Sequence, residues 1–228
     1  MLTKTNVQSG LTAIDENGNI QLNKPKLLIV NDFCEEANNL FTLGFNNIKN
    51  DCQPFIPILI DSFGGDVLSL FSMLDMIDSS DKPVITAVSS KAMSCGSALL
   101  SAGTKGYRFA SPRATILIHE ASTQLEGKAA DIISDAKNME ALNEKLMELL
   151  AKNSNRPASF YKNLIKKGNN ADLYLSAEEA LECGIIDHIG LPEIEMNVKA
   201  EYTLNIISPK QKPVQKINKT PRKAKIKS

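Results

Sequence analysis

The chain has 228 residues, of which 43% are hydrophobic, and its 26 basic and 26 acidic residues give a formal net charge of zero. This length and composition allow one domain with a sizeable core. No apolar run approaches the roughly twenty residues that span a bilayer, which excludes a transmembrane helix, so we expect a single soluble domain.

Charge is unevenly distributed along the chain. The last twenty residues, 209–228, contain eight Lys or Arg and no acid, which leaves 18 bases and 26 acids in residues 1–208. The tail is rich in Lys and Pro and poor in large apolar side chains, so it is predicted to be disordered. We therefore divide the chain into an accessory segment (1–24), a domain (25–208) and a basic tail (209–228).

The first half of the chain alternates between strand and helix patterns. Residues 11–22 are typical of a small hairpin around the sequence Glu-Asn-Gly-Asn. An apolar strand is predicted over 26–30, a helix over 35–48 and a strongly apolar strand over 54–61. Two glycines follow the latter strand, where they allow backbone conformations that other residues rarely adopt.

Asp66 is predicted to open the next helix, because a carboxylate is favourable at a helix N-terminus. The apolar face of this helix extends to Ile77. Residues 83–90 are β-branched and predict a strand, which is followed by a turn at Ser94 and a short helix through Leu100.

The second half of the domain continues the same alternation. Strands are predicted over 108–110 and 114–119, and helices over 129–152 and 157–166. Ser176 and Glu179 form a capping box for a short helix that Gly184 closes. This order of elements predicts an α/β fold with right-handed crossovers.

The helix over 129–152 is the longest predicted element. Its apolar stripe, which begins at Ile132, predicts one buried face. Two alternatives are open: the helix projects from the domain towards a partner subunit, or it packs along the surface of its own core.

The four cysteines and two histidines limit the chemistry available. No C-x-x-C pair and no metal-ligand spacing is present, so we expect free thiols, a reducing cytoplasm, and no metal or other cofactor. There is also no phosphate-binding loop, so any ATP dependence would belong to a partner protein.

Ser94 is the candidate nucleophile because it lies in a run of small residues that leads into a helix. Such a turn can expose a hydroxyl and direct backbone N–H groups at one point. His119, at the end of an apolar strand, is the candidate general base, and His188 is the other histidine. The order serine, histidine, then acid differs from that of chymotrypsin, subtilisin and the α/β-hydrolases.

Four blocks in the same order resemble the signature blocks of the Clp protease proteolytic subunit family: IDSFGG (60–65), AMSCGSALLSAG (92–103), ILIH (116–119) and DLYLSAEEA (172–180). The resemblance covers about Lys26 to Gly190. It implies a ClpP/crotonase-like α/β spiral of repeated ββα units, with a handle helix over 129–152 that projects from it.

The resemblance also implies roles for individual residues. Ser94 would be the nucleophile, His119 the general base and Asp172 the acid that orients the base, although Asp131 and Asp187 remain alternatives for the acid. Backbone N–H groups of Gly65 and Cys95 would form the oxyanion hole. Gly127 falls where the family has a glycine in the strand that binds extended substrate.

A protein of this family would hydrolyse peptide bonds of unfolded or delivered polypeptides. It would self-associate into stacked rings, heptamers by resemblance, and could receive substrate from an AAA+ unfoldase. Neither a membrane nor nucleic acid is an expected partner. The chain departs from the family pattern at Phe63, Lys91 and Met93.

Other functions are compatible with the same core. The main alternatives are a phage prohead maturation protease and a non-catalytic ring subunit. Lys91 would suit a Ser–Lys peptidase, but the presence of His119 disfavours that reading. Crotonase-type acyl-coenzyme A enzymes use no serine nucleophile, so Ser94 argues against them.

Overall fold

A seven-stranded, mainly parallel sheet organises the part of the chain that the structure describes. The structure is a computed structural model that describes residues 12–14, 20–22, 25–122, 126–167 and 172–194. All of these residues belong to one unit, Gln8–Met196. The basic tail at 209–228 lies outside the described residues, and the proposed domain boundaries stay predictions.

The hairpin in the accessory segment is confirmed. Strand β1 (Thr12–Ile14) pairs antiparallel with β2 (Ile20–Leu22), with Ala13 opposite Gln21. The predicted turn between them lies outside the described residues.

Five parallel strands form the main path of the large sheet. In spatial order they are β3 (Leu28–Val30), β4 (Ile56–Ser62), β5 (Val84–Met93), β6 (Arg108–Ala110) and β9 (His188–Ile189). Strands β4 and β5 are apolar over most of their length because central parallel strands are covered on both faces. The prediction of an α/β fold is confirmed.

Strand β5 divides the sheet into two branches. Its first half pairs with β6 from Thr86 to Val88, and its last three residues pair with β7 (Thr115–Ile118). Strand β8 (Leu173–Leu175) then adds to β7 in the antiparallel direction. The predicted end of β5 at Ser90 is wrong, because the strand continues through Met93 to pair with β7.

In the described part of the chain, six helices connect and cover these strands: α1 (Glu35–Lys49), α2 (Val67–Asp78), α3 (Cys95–Ser101), α4 (Ala129–Asn153), α5 (Phe160–Lys167) and α6 (Ala177–Cys183). The Asp66 carboxylate accepts the Ser69 N–H at 2.7 Å, which confirms the predicted start of α2. The capping box of Ser176 and Glu179 is also confirmed, and Gly184 ends α6 with a φ of +84°.

Only the C-terminal half of α4 packs on the core. Its buried residues are Leu146, Met147, Leu150 and Ala151. Ile133 is 57% exposed, so the prediction of a buried stripe that begins at Ile132 is wrong for the first half. Within the described residues, no helix has both the length and the apolar character needed to cross a bilayer.

A buried ion pair joins β6 to the chain just before β9. The Arg108 guanidinium contacts the Asp187 carboxylate at 2.6 and 2.8 Å, and it also donates to the carbonyls of Ser101 and Asn153. His188, the first residue of β9, stacks on Phe109. The second histidine therefore has a structural environment on the β6 branch.

Candidate active site

Ser94 occupies the sharp turn between β5 and α3. Its φ of +54° is unusual for a residue with a side chain. The turn is held by the Ser94 N–H, which donates to the Leu117 carbonyl at 2.9 Å, and by the Ser94 carbonyl, which accepts the Ser97 hydroxyl at 2.7 Å. The fixed turn places the Ser94 side chain at the end of the β5–β7 branch.

The strand register brings the candidate base and the candidate acid to the same end of this branch. In the antiparallel pair of β7 and β8, Ile118 lies opposite Leu173. Continuing that register by one residue sets His119 opposite Asp172. Because Met93 is paired with Leu117 in the neighbouring parallel ladder, Ser94 follows at the same edge.

The hydrogen bonds of a catalytic triad are not formed in this conformation. Within the described residues, no hydrogen bond joins the side chains of Ser94, His119 and Asp172. His119 is half-buried and Asp172 is exposed. Catalytic hydrogen bonds often tighten only in the substrate complex, so the convergence of the three residues rests on backbone register.

The two alternative acids lie elsewhere. The Asp187 carboxylate is occupied by Arg108 and by the backbone N–H groups of Gly106 and Arg108. Asp131 is exposed in the first turn of α4. Of the three candidate acids, only Asp172 lies beside the β7–β8 ladder that ends before His119. It directly precedes Leu173, which pairs with Ile118.

Two backbone N–H groups near Ser94 have the character expected of oxyanion donors. The Gly65 N–H has no hydrogen-bond partner among the described residues. The Cys95 N–H begins α3 and so belongs to the first turn, where a helix offers no internal acceptor. Gly65 is fixed by an adjacent bond, in which the Asp66 N–H donates to the Phe33 carbonyl at 2.7 Å.

Gly65 has no room for a side chain. Its φ is +150°, and an added Cβ would clash with the Phe33 carbonyl oxygen. Gly127 also has a positive φ, +149°, but it lies in a bend that leads into α4 rather than in a strand. Its role in substrate binding stays a prediction.

Gly64 is a site residue that sequence reasoning missed. A Cβ at Gly64 would lie 2.7 Å from the Ser94 Cβ and 3.2 Å from its Oγ. The Gly64 N–H donates to the Ser62 hydroxyl at 3.0 Å. The paired glycines were the available signal, but the sequence did not indicate that the first of them faces the serine.

Cys95 is unsuited to act as a competing nucleophile. Burial raises the pKa of its thiol to about 11, so the thiol is protonated at neutral pH, whereas the reactive form is the thiolate. The thiol donates to the Gly65 carbonyl at 3.2 Å and so links α3 to residues 62–65, which we name the glycine turn.

Lys91 is engaged away from the serine. Its ammonium lies 2.6 Å from the Asp61 carboxylate and 4.5 Å from the centre of the Phe63 ring. These contacts give no support to a Ser–Lys arrangement. Among the described residues, no group of His, Cys, Asp and Glu has the geometry to hold a metal ion.

Comparison with known protein families gives a match over most of the described chain. A family model described as Clp protease matches residues 28–193, more than half of the chain. The matched region runs from β3 to beyond β9 and includes every residue of the candidate site. The chain therefore belongs to the Clp protease family, which supports a ClpP-like peptidase.

Proposed function

We propose that the protein is a serine endopeptidase that cleaves unfolded or delivered polypeptides through an acyl-enzyme on Ser94. The observation that carries the proposal is the register of β5, β7 and β8, which sets Ser94, His119 and Asp172 at one edge. Sheet pairing alone brings three strand ends together, but the residue types found there are a hydroxyl, an imidazole and a carboxylate, which a nucleophile, a base and an orienting acid require.

In this mechanism the Ser94 Oγ attacks the carbonyl carbon of the scissile bond while His119 accepts the hydroxyl proton. Asp172 orients the imidazole and stabilises its charged form. The C–N bond breaks as His119 returns the proton to the leaving amine. A water molecule, deprotonated by His119, then attacks the acyl carbon, which releases the acid product and restores the Ser94 hydroxyl.

The oxygen of the tetrahedral intermediate would be stabilised by the N–H groups of Gly65 and Cys95. Loss of one such donor typically raises the barrier by about 3 to 4 kcal/mol. The Gly65 N–H, which has no partner in the described ranges, and the position of Cys95 at a helix start support this assignment.

The proposal extends to assembly and partners. Self-association into stacked rings would enclose the site, and an AAA+ unfoldase would supply unfolded substrate and use the ATP. The exposed first half of α4 supports an intersubunit role, since apolar side chains such as Ile133 are not covered by this chain's described residues.

Fluorophosphonate labelling tests the function directly. We expect the probe to modify Ser94 of the parent protein, as mapped by mass spectrometry, and to label His119→Ala far more slowly. His188→Ala is the matched control because His188 is the other histidine and is exposed on the β6 branch. It should label at the parent rate.

Peptide hydrolysis provides the second measurement. Ser94→Ala should lower kcat by at least about a thousandfold, whereas Ser90→Ala, an exposed serine on the same strand, should retain activity. An assembled parent protein that is neither labelled nor active would contradict the proposal and favour a non-catalytic ring subunit.

A further inference from the structure

Three side chains form a compact group beside the glycine turn, and we name Asp61, Phe63 and Lys91 the Lys91 cluster. The Lys91 ammonium lies 2.6 Å from an Asp61 carboxylate oxygen and 4.5 Å from the centre of the Phe63 ring. A cation this close to a ring face is attracted to it. One ammonium therefore contacts two residues of the chain that leads to Gly64 and Gly65.

The cluster bridges an interruption in the β4–β5 ladder. The strands pair regularly up to Ile60 opposite Val88, and the register then shifts so that Ser62 lies opposite Ala92. Asp61 lies within this shift, and Lys91 immediately precedes Ala92. Such irregularities redirect side chains and weaken backbone pairing, so the ion pair connects the strands where regular pairing is interrupted.

The glycine turn that follows Asp61 has its own internal hydrogen bond and approaches Ser94 closely at Gly64. The Ser62 hydroxyl accepts the Gly64 N–H at 3.0 Å, and Gly64 leaves no space for a Cβ beside Ser94. Lys91 contacts Asp61 and Phe63, which directly precede Gly64. Movement of Asp61 or Phe63 would therefore shift the Gly65 N–H relative to the Ser94 hydroxyl.

We propose, resting on the proposed serine-peptidase function, that Lys91 is a positioning residue whose ion pair with Asp61 holds the glycine turn in register with Ser94. Lys91 does not touch the reacting atoms in this role. The ion pair is partly exposed, with side-chain exposures of 22% for Lys91 and 42% for Asp61. Since exposed pairs contribute little to folding, its removal should affect catalysis more than stability.

A double-mutant cycle on a peptidyl coumarin amide tests this role. Lys91→Met and Asp61→Asn should each lower kcat by about tenfold, because small displacements of catalytic groups carry large rate penalties. KM should stay within about twofold of the parent value. The double variant should be no slower than either single variant, since both changes remove one interaction.

Two further variants separate positioning from a general structural effect. Lys91→Arg keeps the charge and should recover most of the parent kcat. Lys162→Met removes a comparable exposed ion pair, with Glu144 at 3.0 Å, and should leave kcat unchanged. The melting temperature of Lys91→Met should change no more than that of Lys162→Met.

Binding of a peptide aldehyde gives a readout specific to the oxyanion donors. Its inhibition constant should weaken by about the same factor as kcat falls, because the tetrahedral adduct needs the Gly65 N–H. Parent-like kcat in both Lys91→Met and Asp61→Asn, or additive losses in the double variant, would overturn the proposal. Failure of the parent protein to label at Ser94 would instead overturn the proposed function on which it rests.

Discussion

At the scale of single residues, the site depends on backbone conformations that most side chains disfavour. Ser94 adopts a φ of +54°, and the facing Gly64 has a φ of +108°. Strained conformations of this kind persist only where the surrounding structure holds them. Here the Leu117 carbonyl and the Ser97 hydroxyl hold Ser94 in this conformation.

Gly64→Ala should abolish most activity. The new methyl group would lie 2.7 Å from the Ser94 Cβ, and either the serine or the glycine turn must move. We expect a loss of at least about a hundredfold in kcat, by analogy with other small displacements of catalytic groups. Steady-state peptide hydrolysis and fluorophosphonate labelling measure it.

Gly190→Ala is the matched control for Gly64→Ala. Gly190 has a similar φ, +123°, but an added Cβ would meet nothing within 4 Å. Both variants therefore carry a comparable backbone penalty, of about 1 to 3 kcal/mol, and only Gly64→Ala crowds Ser94. Equal activity in the two variants would contradict the close approach of Gly64 to the serine.

Some of the candidate site residues could be predicted from the sequence. The scarcity of histidine and the small residues around Ser94 drew attention to Ser94 and His119. Asp172 could not be separated from Asp131 and Asp187 by spacing alone, because the choice depends on which strand pairs with β7. The structure answers that question of pairing, while the catalytic roles stay predictions.

At the scale of the elements, the Arg108–Asp187 ion pair fixes the ends of four elements. Arg108 reaches carbonyls at the ends of α3 and α4, and Asp187 precedes β9. Burial raises the pKa of the Asp187 carboxyl, but the hydrogen bonds and charge of Arg108 outweigh burial and bring the pKa below its ordinary value. The charged carboxylate is therefore the form that the fold favours.

Asp187→Asn should destabilise the protein at neutral pH. Breaking a buried ion pair leaves the Arg108 charge uncompensated, which typically costs about 3 to 5 kcal/mol. A carboxyl whose folded pKa is lowered stabilises the fold above its unfolded pKa, and this contribution is lost as the pH falls through the folded value. The difference in stability between parent and variant should therefore shrink below about pH 4.

Urea unfolding at a series of pH values measures this effect. Glu144→Gln, at the exposed ion pair with Lys162, is the control and should change stability by no more than about 0.5 kcal/mol. A difference between the parent and Asp187→Asn that is constant from pH 3 to pH 7 would contradict the assignment of a lowered pKa.

Shortening a side chain to alanine should change the unfolding free energy by different amounts in the two halves of α4. Leu146→Ala removes a buried side chain and should cost about 2 to 5 kcal/mol of unfolding free energy. Ile133→Ala, in the exposed half, should cost no more than about 0.5 kcal/mol. The comparison is made by urea unfolding at protein concentrations where sedimentation shows a monomer. Equal losses of unfolding free energy in the two variants would contradict the exposure of the first half of α4.

Helices were more predictable than the strands that complete the sheet. Caps at Asp66, Ser176 and Gly184 are local signals, and each was read correctly from the sequence. Strands β8 and β9 are only three and two residues long, too short for a periodic pattern. The extension of β5 through Met93 depends on pairing with β7, and the local sequence of β5 does not indicate that pairing.

At the scale of the whole molecule, the fork of the sheet along β5 separates two tasks. The β6–β9 branch contains the buried Arg108–Asp187 pair and the stacked His188. The β7–β8 branch carries the candidate catalytic residues, and its outer strand contributes three residues to one antiparallel ladder. The Arg108–Asp187 ion pair and the candidate catalytic residues thus lie on different sides of the same strand.

Strand β8 is only three residues long, so few backbone pairs hold Asp172 in place. Only three paired positions of β7 and β8 hold Asp172 beside His119. In the sequence, helices α4 and α5 lie between Ser94 and Asp172. Short edge ladders open at a fraction of the cost of global unfolding. Under the proposed function, detachment of β8 would move Asp172, the candidate acid, away from His119, so assembly of the triad would have its own local equilibrium, distinct from the folding equilibrium of the domain.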